Sequence, residues 1–289
     1  MNQSPASPIR NPQRLSIPPR LPVKQRVYPH CVTVCIAAIC RRGTEPVIIL
    51  CTDTRMSAGE YGSTDSTNKM HVIVPGWGVM ASNRADSANE LIERLREWFG
   101  TGEFPSVHDM LSKVKGAVDE FMEHSPLFER NCCELLITGF VKRNPIVVVI
   151  SGGAKGRLAI RVADNYCAIG SGALISTVIL NCRNYSNRDN IEVALYLVYE
   201  AKRLSEKADG VGPLTSMVWI SPDEAGSLSK SGREHLEAVF VTKGMGAGLS
   251  FPGFPDGSIE VTSPDPPHPT GAPSPLPPSP ESSEESGES

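Results

Sequence analysis

From residue 32 onward the hydrophobic positions switch between two patterns, and the switches outline the elements. Val32–Cys40 and Val47–Thr52 are short runs rich in β-branched residues, parted by Arg41-Arg42-Gly43-Thr44-Glu45-Pro46, which reads as a hairpin. His71–Val74 and Gly78–Ser82 repeat the arrangement around Pro75-Gly76. From Asp86 to Phe99 the period becomes helical: Ala88, Leu91, Ile92, Leu95 and Trp98 fall on one face, with Asp86 or Ser87 placed to cap and Gly100 to stop. Ser106–Phe121 carries a similar stripe in Val107, Met110, Leu111, Val114, Ala117, Val118 and Phe121. Strands return at Glu134–Val141, Pro145–Ile150 and Arg157–Ala163, with turn residues at Lys142-Arg143-Asn144 and Ser151-Gly152-Gly153. Gly172–Asn181 and Ile191–Ala208 read as helices, the second capped by Asn190, and Ser216–Ile220 with Leu236–Thr242 is expected to form a last pair of strands.

The strand segments are apolar at nearly every position, which calls for burial on both faces. Elements come in pairs, strands and then helices, whereas a doubly wound sheet needs them to alternate singly. Two sheets stacked on each other, each covered by a helix pair, satisfy both conditions. The expected fold is α+β, a four-layer αββα sandwich.

Composition sets the limits of that domain. Of the 25 prolines in the 289 residues, 7 lie within residues 1–29 and 11 within 252–289. Residues 1–30 form a Pro/Arg-rich arm with five basic side chains and no acid, and 246–289 a Pro/Ser-rich tail ending in an acidic run; both are expected to be disordered. The folded domain, residues 31–245, is then roughly 210 residues, long enough to bury a core without disulfides or metal. The middle of the chain is nearly neutral and carries no basic stripe, which argues against nucleic-acid binding. No apolar run is long enough for a membrane span, and the N-terminus lacks the apolar segment of a secretory signal. Eight cysteines without a CxxC pair, most in apolar runs, read as buried reduced thiols of a cytoplasmic protein.

Phosphate-loop, GxSxG and HExxH motifs are absent, so nucleotide, serine-histidine and zinc chemistries lack support. What remains is a group of small nucleophiles at the start of the first strand (Cys31, Thr33, Cys35), Asp53 and Arg55 at the end of the second, and Lys69. Taken singly, Thr33 is an ordinary strand threonine, Asp53 and Arg55 a strand-end ion pair, Lys69 a surface lysine and Ser171 a helix cap. Their order and spacing carry more. Thr33-Val-Cys-Ile-Ala-Ala-Ile, then Gly43, Cys51-Thr-Asp-Thr-Arg55, Asn68-Lys69, Ala81-Ser-Asn-Arg-Ala-Asp86 and Tyr166-Cys-Ala-Ile-Gly-Ser-Gly172 follow one another over residues 32–220. Together they resemble the proteasome β-type N-terminal-nucleophile (Ntn) hydrolases, in which a lysine follows the aspartate at the separation of sixteen found here between Asp53 and Lys69.

The resemblance implies a threonine-type amide or peptide hydrolase. Thr33 would be the nucleophile and its freed α-amine the base, since such an amine titrates at about 7.7 to 8.0, near working pH. Lys69 would supply a cation held by Asp53, Ser171 would hydrogen-bond near the amine, and backbone N–H groups at Ser82 would meet the oxyanion. Arg55 and Asp209 would be supporting residues. The family implies a homo-oligomeric ring with the site inside, a peptide or amide substrate, an unfoldase partner, and no metal or organic cofactor. The chain departs from the pattern in four places. Thr33 and Asp53 are 20 residues apart, longer than the family's spacing, which the Thr44-Glu45-Pro46 turn would absorb. Serine stands at 82 where the family has glycine, and Asp209 is the nearest match to its second aspartate. Thr33 is internal and follows Val32, where glycine is usual before a cleavage. Exposure of Thr33 would come from propeptide cleavage, or from translation starting at a GTG codon for Val32 with removal of the initiator methionine. Two alternatives are a non-catalytic structural member of the fold and a small-molecule Ntn amidase.

Overall fold

The first strand, β1 (Cys35–Arg42), folds back on β2 (Glu45–Asp53) through Gly43-Thr44, where Gly43 takes the φ of 63° that its missing Cβ allows. The computed structural model of the protein describes residues 33–54, 56–57, 63–64, 69–83, 85–125, 133–153, 157–243 and 253–262. A two-residue pair, β3 (Met56–Ser57) and β4 (Ser63–Thr64), precedes β5 (Met70–Val74) and β6 (Trp77–Asn83). Helices α1 (Ala85–Phe99) and α2 (Val107–His124) come next, then β7 (Cys133–Val141), β8 (Asn144–Gly152), β9 (Leu158–Ala163) and β10 (Tyr166–Ile169). The chain continues through α3 (Ala173–Cys182), α4 (Ile191–Ser205), β11 (Thr215–Ile220), β12 (Ala225–Leu228), α5 (Lys230–Lys243) and β13 (Ile259–Thr262).

Two large antiparallel sheets result, β10-β1-β2-β11-β12-β13 and β5-β6-β7-β8-β9. Alternation along each strand decides what the sheets face. In β1, Ile36, Ala38 and Cys40 pack with Leu195, Val198 and Leu236 of the helices α4 and α5, while Cys35, Ala37 and Ile39 meet Met80, Leu136, Val147 and Val149 of the other sheet. The far side of that second sheet, including Val79, Leu135, Ile137 and Val148, is covered by Leu91, Ile92 and Leu95 of α1 and Met110, Val114 and Phe121 of α2. The layers are therefore helix, sheet, sheet, helix: a four-layer αββα sandwich. Local signals agree with it, since Ser106 caps α2 by accepting from the Asp109 N–H at 3.2 Å and Asn190 caps α4 through the Glu192 N–H at 3.3 Å.

The sequence reading is corrected at the C-terminal end. Leu236–Thr242, expected as a strand, belongs to α5, capped by Ser229, whose hydroxyl accepts from the Gly232 N–H at 3.1 Å. Its β-branched and aromatic content suggests a strand, but Leu236 and Val239 are buried at helical spacing against α4. The strand that follows β11 in the sheet is instead β12, and β13 pairs with β12 at the sheet's edge. Strand β13 lies within 246–289, so the expectation of a disordered tail does not hold for Ile259–Thr262. Among the described residues no helix is long and apolar enough to cross a membrane.

Candidate active site

The β1–β2 register, with Cys35 opposite Thr52, brings Thr33 and Val34 beside the end of β2. Asp53 donates its N–H to the Val34 carbonyl at 3.3 Å, and its Oδ1 accepts the Val34 N–H at 3.0 Å. That side chain is fully buried, a costly place for a carboxylate unless cations and donors surround it. They do: Lys69, just before β5, places Nζ 3.1 Å from both carboxylate oxygens, and the Gly212 N–H donates to Oδ2 at 3.0 Å. Lys69 is itself nearly enclosed, with 10% of its side chain exposed.

Thr33 completes the cluster. Its hydroxyl donates to Asp53 Oδ1 and accepts from Lys69 Nζ at 2.5 Å, so the oxygen sits against an ammonium while its proton points at a carboxylate. On the other side, the Thr33 N–H donates to Ser171 Oγ at 3.4 Å. The Ser171 hydroxyl lies within reach of two carbonyls, Thr33 O at 3.2 Å and Asp209 O at 3.0 Å, and does not cap α3. Gly170 makes this approach feasible. It adopts φ 91°, and a Cβ there would lie 2.4 Å from the Thr33 carbonyl oxygen. Gly170→Ala is therefore expected to cost about 1–3 kcal/mol of stability and to displace Thr33, measurable as a lowered denaturation midpoint.

Of the other expected site residues, Arg55 lies outside the described residues, as do Cys31 and Val32. Asp209 reaches Ser171 through its backbone carbonyl, and its residue is otherwise exposed, so any support it gives is backbone support. Ser82 is buried in β6 opposite Glu134, and its hydroxyl donates to Glu134 Oε2 at 2.8 Å. The same oxygen accepts the Gly170 N–H at 3.1 Å, so Glu134 ties the end of β6 to the turn that carries Ser171. Sequence reasoning missed Glu134; the available signal was an acidic residue opening the otherwise apolar run Leu135-Leu136-Ile137. Cys35 is a poor nucleophile: burial pushes its thiol up to about 11, leaving it protonated near neutral pH.

No family model matches the sequence, and no curated protein does. Among solved structures the chain is similar to one described as an Anbu (Gly-1) mutant from Hyphomicrobium sp. strain MC1, with a TM-score of 0.53 and 17% identity over 65% of this chain and 82% of that one. The likeness bears on the fold, the four-layer αββα sandwich described above. At such identity the likeness concerns the path of the backbone, and the chemistry has to be argued from Thr33, Asp53, Lys69 and Ser171 themselves.

Proposed function

We propose that the protein is a threonine-type Ntn hydrolase that cuts an amide bond through an acyl ester on Thr33. The observation that carries this reading is the position of Thr33 Oγ1, held between the Lys69 ammonium and the Asp53 carboxylate with the Thr33 nitrogen over Ser171. In the active chain the bond between Val32 and Thr33 is absent and that nitrogen is a primary amine. The neutral amine takes the hydroxyl proton as Oγ1 attacks the substrate carbonyl, aided by the field of the Lys69 ammonium. Backbone N–H groups at Ser82 meet the developing oxyanion. Collapse of the tetrahedral species breaks the C–N bond, and the ammonium returns its proton to the leaving amine. Water, deprotonated by the same amine, then hydrolyses the ester and restores Thr33.

No metal or organic group is needed for these steps. The same reading includes a cytoplasmic homo-oligomeric ring, a peptide or amide substrate and an unfoldase that delivers it. Exposure to an acylating peptide ester tests the chemistry. The expected result is one acyl group per chain, mapped by peptide mass to Thr33; stoichiometric acylation at another residue, or none, contradicts it.

A further inference from the structure

Lys202 is fully buried in α4, a position lysine almost never takes without partners. Its ammonium has three donors and three acceptors around it: Glu206 Oε1 at 2.6 Å, Gly212 O at 2.9 Å and Pro213 O at 2.9 Å. Burial lowers its pKa, and Glu206 acts in the opposite direction. A methionine would fill much the same space without the desolvation cost of an ammonium, so core packing alone does not account for a lysine. What the lysine adds is a grip on two successive carbonyls of the segment Asp209-Gly-Val-Gly-Pro213.

That segment touches the candidate site twice. The Gly212 N–H donates to Asp53 Oδ2 at 3.0 Å, and the Asp209 carbonyl lies 3.0 Å from Ser171 Oγ. Two glycines give it large backbone freedom that some contact must remove. We propose that Lys202 is a positioning residue for the nucleophile: by fixing the Gly212 and Pro213 carbonyls it aims the Gly212 N–H at Asp53 Oδ2, which orients the carboxylate so that Oδ1 meets the Thr33 hydroxyl and Lys69 bridges both oxygens. The consequence for turnover rests on the hydrolase reading above; the clamp itself does not.

The test uses the full chain with Lys202→Met, and Gly212→Pro as a second variant that removes the N–H end of the relay while fixing φ at 212. Misplacing a reacting group by about 1 Å costs on the order of 100-fold, so kcat is expected to fall about 10- to 100-fold in each variant with KM within about twofold. The double variant loses no more than the worse single one, because both break the same link. Hydrogen exchange at the Gly212 amide is expected to quicken at least about tenfold in Lys202→Met while β7 and β8 keep their protection. Unchanged kcat in Lys202→Met, or in Gly212→Pro should the methionine variant not fold, overturns the proposal. An inert wild-type protein defeats the hydrolase reading alone; the clamp is then decided by Gly212 exchange, which upholds it if faster and overturns it if unchanged.

Discussion

Thr33→Ala is expected to lower turnover of a peptide amide at least about 1,000-fold while leaving the fold intact, since it deletes the oxygen that forms the acyl bond. Stability should fall measurably without unfolding the chain. The Lys69–Asp53 ion pair survives the substitution, and what is lost is a hydroxyl bonded to both members, typically worth about 1.5–3 kcal/mol for a hydrogen bond to a charged group. Thr33→Ser keeps the oxygen and should retain activity within about tenfold of the wild type, the missing methyl costing only positional freedom. Steady-state kinetics on the three proteins, with circular dichroism to follow folding, separate the outcomes. Thr33→Ala at wild-type kcat would mean that another group attacks.

Lys69→Met has the second large effect, and it is visible in stability as well as turnover. It removes the ammonium 3.1 Å from the fully buried Asp53 carboxylate, and breaking one side of such a pair costs about 3–5 kcal/mol. The cation beside Oγ1 is lost as well, so turnover should fall to the Thr33→Ala level. Asp53→Asn combined with Lys69→Met removes both charges and should recover much of the stability but none of the activity. Denaturant titration of the two variants checks this. A single-variant loss below about 1 kcal/mol would show that the pair is an ordinary weakly coupled ion pair.

Much of this arrangement was legible in the sequence because the signals were periodic or paired. The β1–β2 run and its Gly43 turn, the α1 and α2 stripes and the Asn190 cap each depend on local chemistry. The joint spacing of Thr33, Asp53 and Lys69 pointed to a site through the family resemblance, and the fold brings the three side chains into contact. Elements set by tertiary packing were harder to read. Ala225–Leu228 has weak strand propensity, yet it pairs with β11, and Gly226 lies so close to the Trp219 ring that a Cβ would approach to 2.4 Å. Ile259–Thr262 holds the strand formers Ile259, Val261 and Thr262, but the Pro/Ser-rich tract around it hides them until the pairing with β12 is seen. Glu134 and Lys202 left no motif, since each acts on backbone groups outside its own element, Gly170 and Gly212, whose positions only the folded chain defines.

The most direct test of the account is the N-terminus of the protein purified from its native source, by intact mass and N-terminal sequencing. Turnover through Thr33 requires a free amine at that residue, so the account predicts a mature chain beginning at Thr33. Molecules that all begin upstream of Thr33, and stay so on prolonged incubation, would contradict it: the nitrogen over Ser171 would remain an amide, and the amine that the proposed mechanism uses as its base would not exist.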